Sequence, residues 1–126
     1  MRIADRENGV KYTELSVWQA SMELAQSVFA LTAPFPIEQR FVLASQMQRS
    51  ALSIPSNIAE GHGRKSTAAF LNHLSIAAGS LRELEPQIEL ARRLGFVAPD
   101  ALSTLAEQTD KVGRMLSKLT TSLKGK

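Results

Sequence analysis

From Phe70 to Ala91, apolar side chains recur without a break at alternating spacings of four and three: Phe70, Leu74, Ala77, Leu81, Leu84, Ile88 and Ala91. That period lines them along one stripe of an α-helix and would scatter them over both faces of a strand. A stripe of this length must be covered by other helices along the whole of it. The chain supplies them. Leu102, Leu105, Thr109, Val112, Leu116, Leu119 and Leu123 repeat the heptad toward the C-terminus, and Ala44, Met47, Ala51, Ile54 and Ile58 carry it upstream. Near the start, Leu15, Trp18, Met22, Ala25 and Phe29 form one stripe, with Val17, Leu24, Val28 and Leu31 beside it. Two stripes predict a helix contacted from two sides, within a bundle or by another subunit.

Proline and glycine divide these segments. The first helix is expected just after Thr13 or Glu14, with Thr13 as its cap, and ends at Thr32 or Ala33 before Pro34. The second runs from Pro36, well suited to a first helical position, to Ala59 or Glu60. Ser66 or Thr67 caps the third, which continues to about Leu94, and the fourth runs from Pro99 or Asp100 to Leu123. Gly61 is expected as the left-handed residue past the second helix, and Gly95 closes the third. Short connections between such helices give an all-α, antiparallel, up-and-down four-helix bundle over residues 13–123. Residues 1–12 read as a flexible polar leader and residues 124–126 as a frayed end.

Two prolines, Pro55 and Pro86, fall inside helices and should bend them. Around Pro55, the side chains of Ser53, Ser56, Asn57 and Glu60 are placed to satisfy backbone groups released by the ring. Gln46, Arg49, Ser53, Asn57 and Glu60 share one strip of the second helix, and His73, Ser80, Glu83 and Gln87 share a strip of the third. Gly79 and Ser80 are small enough for another helix to come close. Gln46, Arg49, Asn57, Glu60, Ser80 and Glu83 are therefore expected to form a structural polar network. Within it Arg49 pairs with Glu60 or Glu83, across helices or across subunits.

Several kinds of chemistry find no support in the sequence. Its 126 residues fit a single domain with a real core. There is no cysteine, which excludes disulfides and thiolate metal sites. No apolar run is long enough to span a bilayer, and the leader lacks a hydrophobic block, so a cytoplasmic protein is expected. His62 lies in a glycine turn and should be exposed. Neither His62 nor His73 has an acid three residues before it, where Ala59 and Phe70 stand, so the metal pattern of helical bundles is missing. The turn from Gly61 to Ser66 lacks the spacing and preceding strand of a phosphate-binding loop. No catalytic residue, metal or cofactor is expected.

The net charge of +3 is unevenly placed, because Lys111, Arg114, Lys118, Lys124 and Lys126 occur with no acid among them. Arg64, Lys65, Arg92, Arg93, Lys111, Arg114 and Lys118 are candidates for contact with nucleic-acid phosphates. The competing reading is that they complement helix dipoles and keep the surface solvated.

Three blocks resemble a known family: Leu15-Ser16-Val17-Trp18-Gln19-Ala20, Ser53-Ile54-Pro55-Ser56-Asn57-Ile58-Ala59-Glu60-Gly61, and Ala77-Ala78-Gly79-Ser80-Leu81-Arg82-Glu83-Leu84-Glu85. They are similar to the four-helix-bundle proteins named for intervening sequences in bacterial 23S ribosomal RNA genes. The resemblance implies a bacterial cytosolic protein and a ring-like homopentamer. It also points to a relative, the accessory variability protein of diversity-generating retroelements, a basic pentamer that binds reverse transcriptase and nucleic acid. The expectation is a non-enzymatic homo-oligomeric bundle that acts as a binding or scaffold module for RNA or DNA. The alternative is a protein-binding adaptor without nucleic-acid contact.

Overall fold

A computed structural model of the chain describes residues 10–125. A 3-10 turn, Tyr12–Glu14, leads into α1, Ser16–Thr32. A second 3-10 turn, Ile37–Gln39, and a π-helical turn, Arg40–Ala44, lead into α2, Ser45–His62. Helix α3 spans Thr67–Arg93 and α4 spans Pro99–Lys124. These four helices form an all-α bundle, and there is no strand among the described residues. Each helix packs on its neighbours in the order α1–α2–α3–α4 and back to α1, with the most extensive contact between α2 and α3. Helices α2 and α4 therefore lie across the diagonal. Of the expected leader, residues 1–9 lie outside the described residues, as does Lys126.

The entry to α1 differs from the reading above. Thr13 sits in the 3-10 turn and does not cap; Leu15 is the N-cap residue and offers no side-chain bond. The turn is held instead by Gln19, whose Nε2 donates to the Thr13 carbonyl at 3.0 Å. Tyr12 packs edge-on against Trp18, with ring centroids 5.2 Å apart. Of the two apolar stripes, Val17, Leu24 and Val28 face the core, while Leu15, Trp18 and Met22 are half-buried and Phe29 is exposed. Thr32 ends the helix by donating to the Val28 carbonyl at 2.9 Å, and it accepts from Gln48 of α2 at 2.9 Å.

Pro36 does not begin a regular helix. With ψ at 146° it is extended, and the chain reaches α2 only after the π-helical turn. The wider turn buries Leu43 and Ala44 but throws Phe41 and Val42 outward. Helix α2 then runs continuously through Pro55, whose ring is buried, and α3 runs continuously through Pro86. Beside Pro55 the Asn57 Nδ2 donates to the Ser53 carbonyl at 2.8 Å, although the carbonyl that the ring leaves without its helical donor is that of Ala51.

Gly61 plays a different part from the one its position suggested. It lies inside α2, and Gly95 alone among the described residues has positive φ, at 79°. What Gly61 provides is space for α3. Gly95 does close α3: its N–H bonds the Arg92 carbonyl and the Phe96 N–H bonds the Ala91 carbonyl, the paired C-terminal motif that a left-handed glycine permits. At the other end of α3, Ser66 Oγ accepts from the Ala69 N–H at 3.1 Å.

All four helices contribute to the core. Leu24, Met47, Ile54, Ile58, Phe70 and Leu84 are fully buried within it. Each such side chain favours the folded state by about 1.5–3 kcal/mol over exposure.

Candidate interaction surfaces

Four features of the surface bear on function: a polar seam between α2 and α3, the distribution of cations, an exposed apolar face and a groove. The seam is built from short side chains. Ser80 Oγ donates to Ser53 Oγ at 2.8 Å. Asn57 Nδ2 also reaches Ser53 Oγ, at 3.1 Å, and Asn57 Oδ1 lies 3.0 Å from His73 Nδ1. Because the Asn57 amide nitrogen donates to Ser53, its oxygen is left to accept, so His73 Nδ1 carries the proton in this bond. Asn57 and Ser80 of the expected network are brought together.

The other expected members are not. Gln46, Arg49 and Glu83 are exposed, and no hydrogen bond joins them to the seam. Arg49 makes no ion pair among the described residues. Glu60 turns to Arg64 at 2.6 Å, four residues along the chain in the turn that follows α2. A partner one turn away costs less side-chain ordering than one on another helix, so the local pair wins. Sequence spacing placed Ser53 and His73 on the right strips without revealing that Ser53 meets Ser80 and His73 meets Asn57, while Arg49 and Glu83 stay outside. His62 also departs from expectation: it is buried and packs edge-on against Phe70, with centroids 6.1 Å apart.

Local pairing recurs through the candidate cations. Glu89 bonds Arg92 through both carboxylate oxygens, at 2.9 and 2.8 Å, and Arg93 at 3.0 Å. These bonds from Arg92 and Arg93 hold its carboxyl well down, from the ordinary 4.5 to about 2. The same bonds raise Arg92. Arg114 pairs with Asp110 at 3.0 Å. Among the described residues Lys65, Lys111 and Lys118 form no ion pair. Lys65 lies in the α2–α3 turn, at the same end of the bundle as the C-terminal turn of α4 that carries Lys124. Lys118 borders a small pocket floored by Leu15, Val17, Met115 and Leu119.

Two larger features lie apart from one another. On the outside of the bundle, Ile37, Phe41, Val42 and Leu52 are exposed to 67%, 90%, 63% and 48%. Between α3 and α4 runs a groove of about 760 Å³, bordered by Leu71, Ala78, Leu81, Gly113 and Ser117. It continues toward Glu85, Ala106 and Asp110. Small residues line much of it, which is why two packed helices leave an opening there. No cluster of three or more metal-ligating side chains occurs among the described residues. No helix of the described residues is long and apolar enough to cross a membrane.

An all-α four-helix bundle with a polar seam along its best-packed pair of helices defines the class. Within that class the assignment is specific: residues 13–118 match the family model of the 23S rRNA-intervening sequence protein, and the chain belongs to that family. A solved structure is also similar, that of a protein with unknown function from the S23 ribosomal protein family of Bacteroides thetaiotaomicron. The two share 28% identity with a TM-score of 0.77, over 83% of this chain and 95% of that one. No protein of curated function matches the sequence significantly.

Proposed function

We propose that the protein is a non-enzymatic homo-oligomeric bundle, a pentamer by its family resemblance, that serves in the bacterial cytosol as a binding or scaffold module. The observation that carries this reading is the exposure of Phe41 at 90%, with Ile37 and Val42 beside it at 67% and 63%. Contiguous large apolar side chains held in water on a folded surface mark an interaction site. Light scattering at micromolar concentration should give a mass several times that of one chain, and a monomer would remove the proposal.

RNA or DNA is the ligand this reading favours, through Lys65, Lys111 and Lys118, which form no ion pair among the described residues. The resemblance to the accessory variability protein of diversity-generating retroelements supports it. Affinity for a short duplex and for a single strand should fall steeply with salt as phosphate counterions are released. A flat response would remove the nucleic-acid part and leave the oligomer standing.

The pairing of Arg64, Arg92, Arg93 and Arg114 with acids three or four residues away favours a second reading, a protein-binding adaptor. Those pairs cancel much of the charge that phosphate contact would use. Co-purification of a partner that survives nuclease treatment separates the two readings.

A further inference from the structure

We propose that the oligomer is built head-to-tail: the outer face of α2, carrying Arg49 and Leu52, together with Phe41 of the π-helical turn before it, docks into the groove between α3 and α4 of the next copy. The inference rests on the oligomeric reading above and assigns its two surfaces. Both surfaces belong to one chain and differ in shape. Leu52 projects from α2 and Phe41 from the π-helical turn before it, and both are exposed. The groove is concave and bordered by Ala78, Gly113 and Ser117. Pairing like with like would set projection against projection and leave the groove empty, whereas projection into groove fills it. Helix α2 lies diagonally across from α4, so the two surfaces do not overlap on one copy. A contact between two different surfaces, repeated by rotation, closes a ring.

The heights agree. In a ring every copy points the same way along the axis. The bonds from Ser80 to Ser53 and between Asn57 and His73 set the level of α2 against α3, which puts Leu52 at about the height of Gly79 and Ser80. A Cβ on Gly113 would meet Leu81 at 3.4 Å, which sets α4 at the same level. Leu52 of one copy thus stands level with Ala78, Leu81 and Gly113 of the next, midway along the groove.

Charge agrees as well. Arg49 lies one turn from Leu52, toward the end of the bundle where α2 begins, and has no ion-pair partner among the described residues. Glu85 borders the groove one turn beyond Leu81 toward the same end and has no ion-pair partner among the described residues; of the cations bordering the groove near it, Arg82 lies one turn back and Arg114 is taken by Asp110. Docking brings the unpaired arginine to the unpaired carboxylate. The partner of Arg49 in this arrangement is Glu85 of the next copy.

The chain has no cysteine, so single cysteines report cleanly. Leu52→Cys and Ala78→Cys are made in separate chains, allowed to exchange subunits, and treated with a short bis-maleimide. The mixture should yield a cross-linked dimer, each single variant alone should not, and the double variant should yield a ladder. Cross-linking of Leu52→Cys to itself, or a light-scattering oligomer with no product in any arm, would overturn the head-to-tail contact and leave the oligomer intact. A monomer would overturn both.

A second pair of variants guards against a disturbed fold, because both side chains are exposed. Arg49→Glu and Glu85→Arg should each weaken assembly by about tenfold or more, as loss of a charge pair at an interface does. Combined in one chain they should restore it. Failure of the double reversal to recover assembly, with both single variants dissociated, would sink the Arg49–Glu85 contact.

Discussion

A Cβ atom placed on Gly61 would lie 2.7 Å from the Cβ of His73 and 2.9 Å from Cδ1 of Phe70. No rotamer change relieves the first contact, because Cβ positions follow the backbone. Helix α3 passes α2 at a distance that only glycine allows, next to the seam that joins Asn57 to His73. Gly61→Ala should therefore force the two helices apart and destabilise the protein by about 1–3 kcal/mol, the usual cost of overpacking a fitted interior. Gly63 is the control. Its φ is −78°, and a Cβ there would come no nearer than 3.6 Å to any atom. Gly63→Ala should be neutral or stabilising by about 0.4–1 kcal/mol through the unfolded chain. Urea unfolding of both variants decides the matter; equal effects would refute the close-approach role of Gly61.

The seam itself predicts a coupling. Ser53 Oγ accepts from both Ser80 and Asn57, so its removal takes the acceptor from the Ser80 hydroxyl, while Asn57 keeps its bond to the Ser53 carbonyl. Ser53→Ala should cost about 1 kcal/mol, and Ser80→Ala a similar amount. The double variant should lose less than the sum, with an interaction energy of about 0.5 kcal/mol or more between residues in direct contact. Strict additivity in a double-mutant cycle would mean that the hydroxyl bond contributes nothing to stability.

How much of this could be read beforehand depends on what spacing encodes. The stripe from Phe70 to Ala91 fixed a face, and all of its residues are buried. The fold class followed, since four such faces have few ways to close. Spacing does not encode which height on one helix meets which on another, and so Ser53–Ser80 and Asn57–His73 could not be picked out from their strips. Local competition also escaped notice: Glu60 had Arg64 within one turn, and that partner took precedence over Arg49. Gly61 was ambiguous in principle. A glycine near a helix end serves either a left-handed cap or a close crossing, and only the position of His73 distinguishes them. The exposure of Phe41 was hidden for a similar reason. A regular helix from Pro36 would have set Phe41 at the flank of the buried stripe, and the π-helical turn rotates it into water.

The Glu89 cluster predicts a pH dependence with a definite sign. Bonds from Arg92 and Arg93 hold the Glu89 carboxyl near 2 in the folded chain, below its ordinary 4.5. A group depressed on folding favours the folded state fully above its unfolded value. That contribution fades as pH falls from 4.5 toward 2. The cluster is open to solvent, so salt should screen it. Carboxyl carbon chemical shifts should show Glu89 titrating well below the other glutamates at low ionic strength and moving up in high salt. Arg92→Ala together with Arg93→Ala should return it to the ordinary range. A midpoint near 4.5 in the unmodified protein would contradict the bonded geometry.

Phe41 and Phe70 are the same residue in opposite surroundings, and the contrast separates folding from assembly. Phe70 is fully buried between helices, while Phe41 is 90% exposed. Phe70→Ala should cost about 3–5 kcal/mol through lost burial and the cavity left behind. Phe41→Ser removes a side chain that touches little of its own chain, so the unfolding free energy of the dilute monomer should change by no more than about 0.5 kcal/mol. If the exposed face is an interface, the same change should lower the mass seen by light scattering at micromolar concentration while the helical circular dichroism stays unaltered. A loss of helicity would show that Phe41 supports the fold, and an unchanged mass would show that the apolar face around it is not what joins the copies.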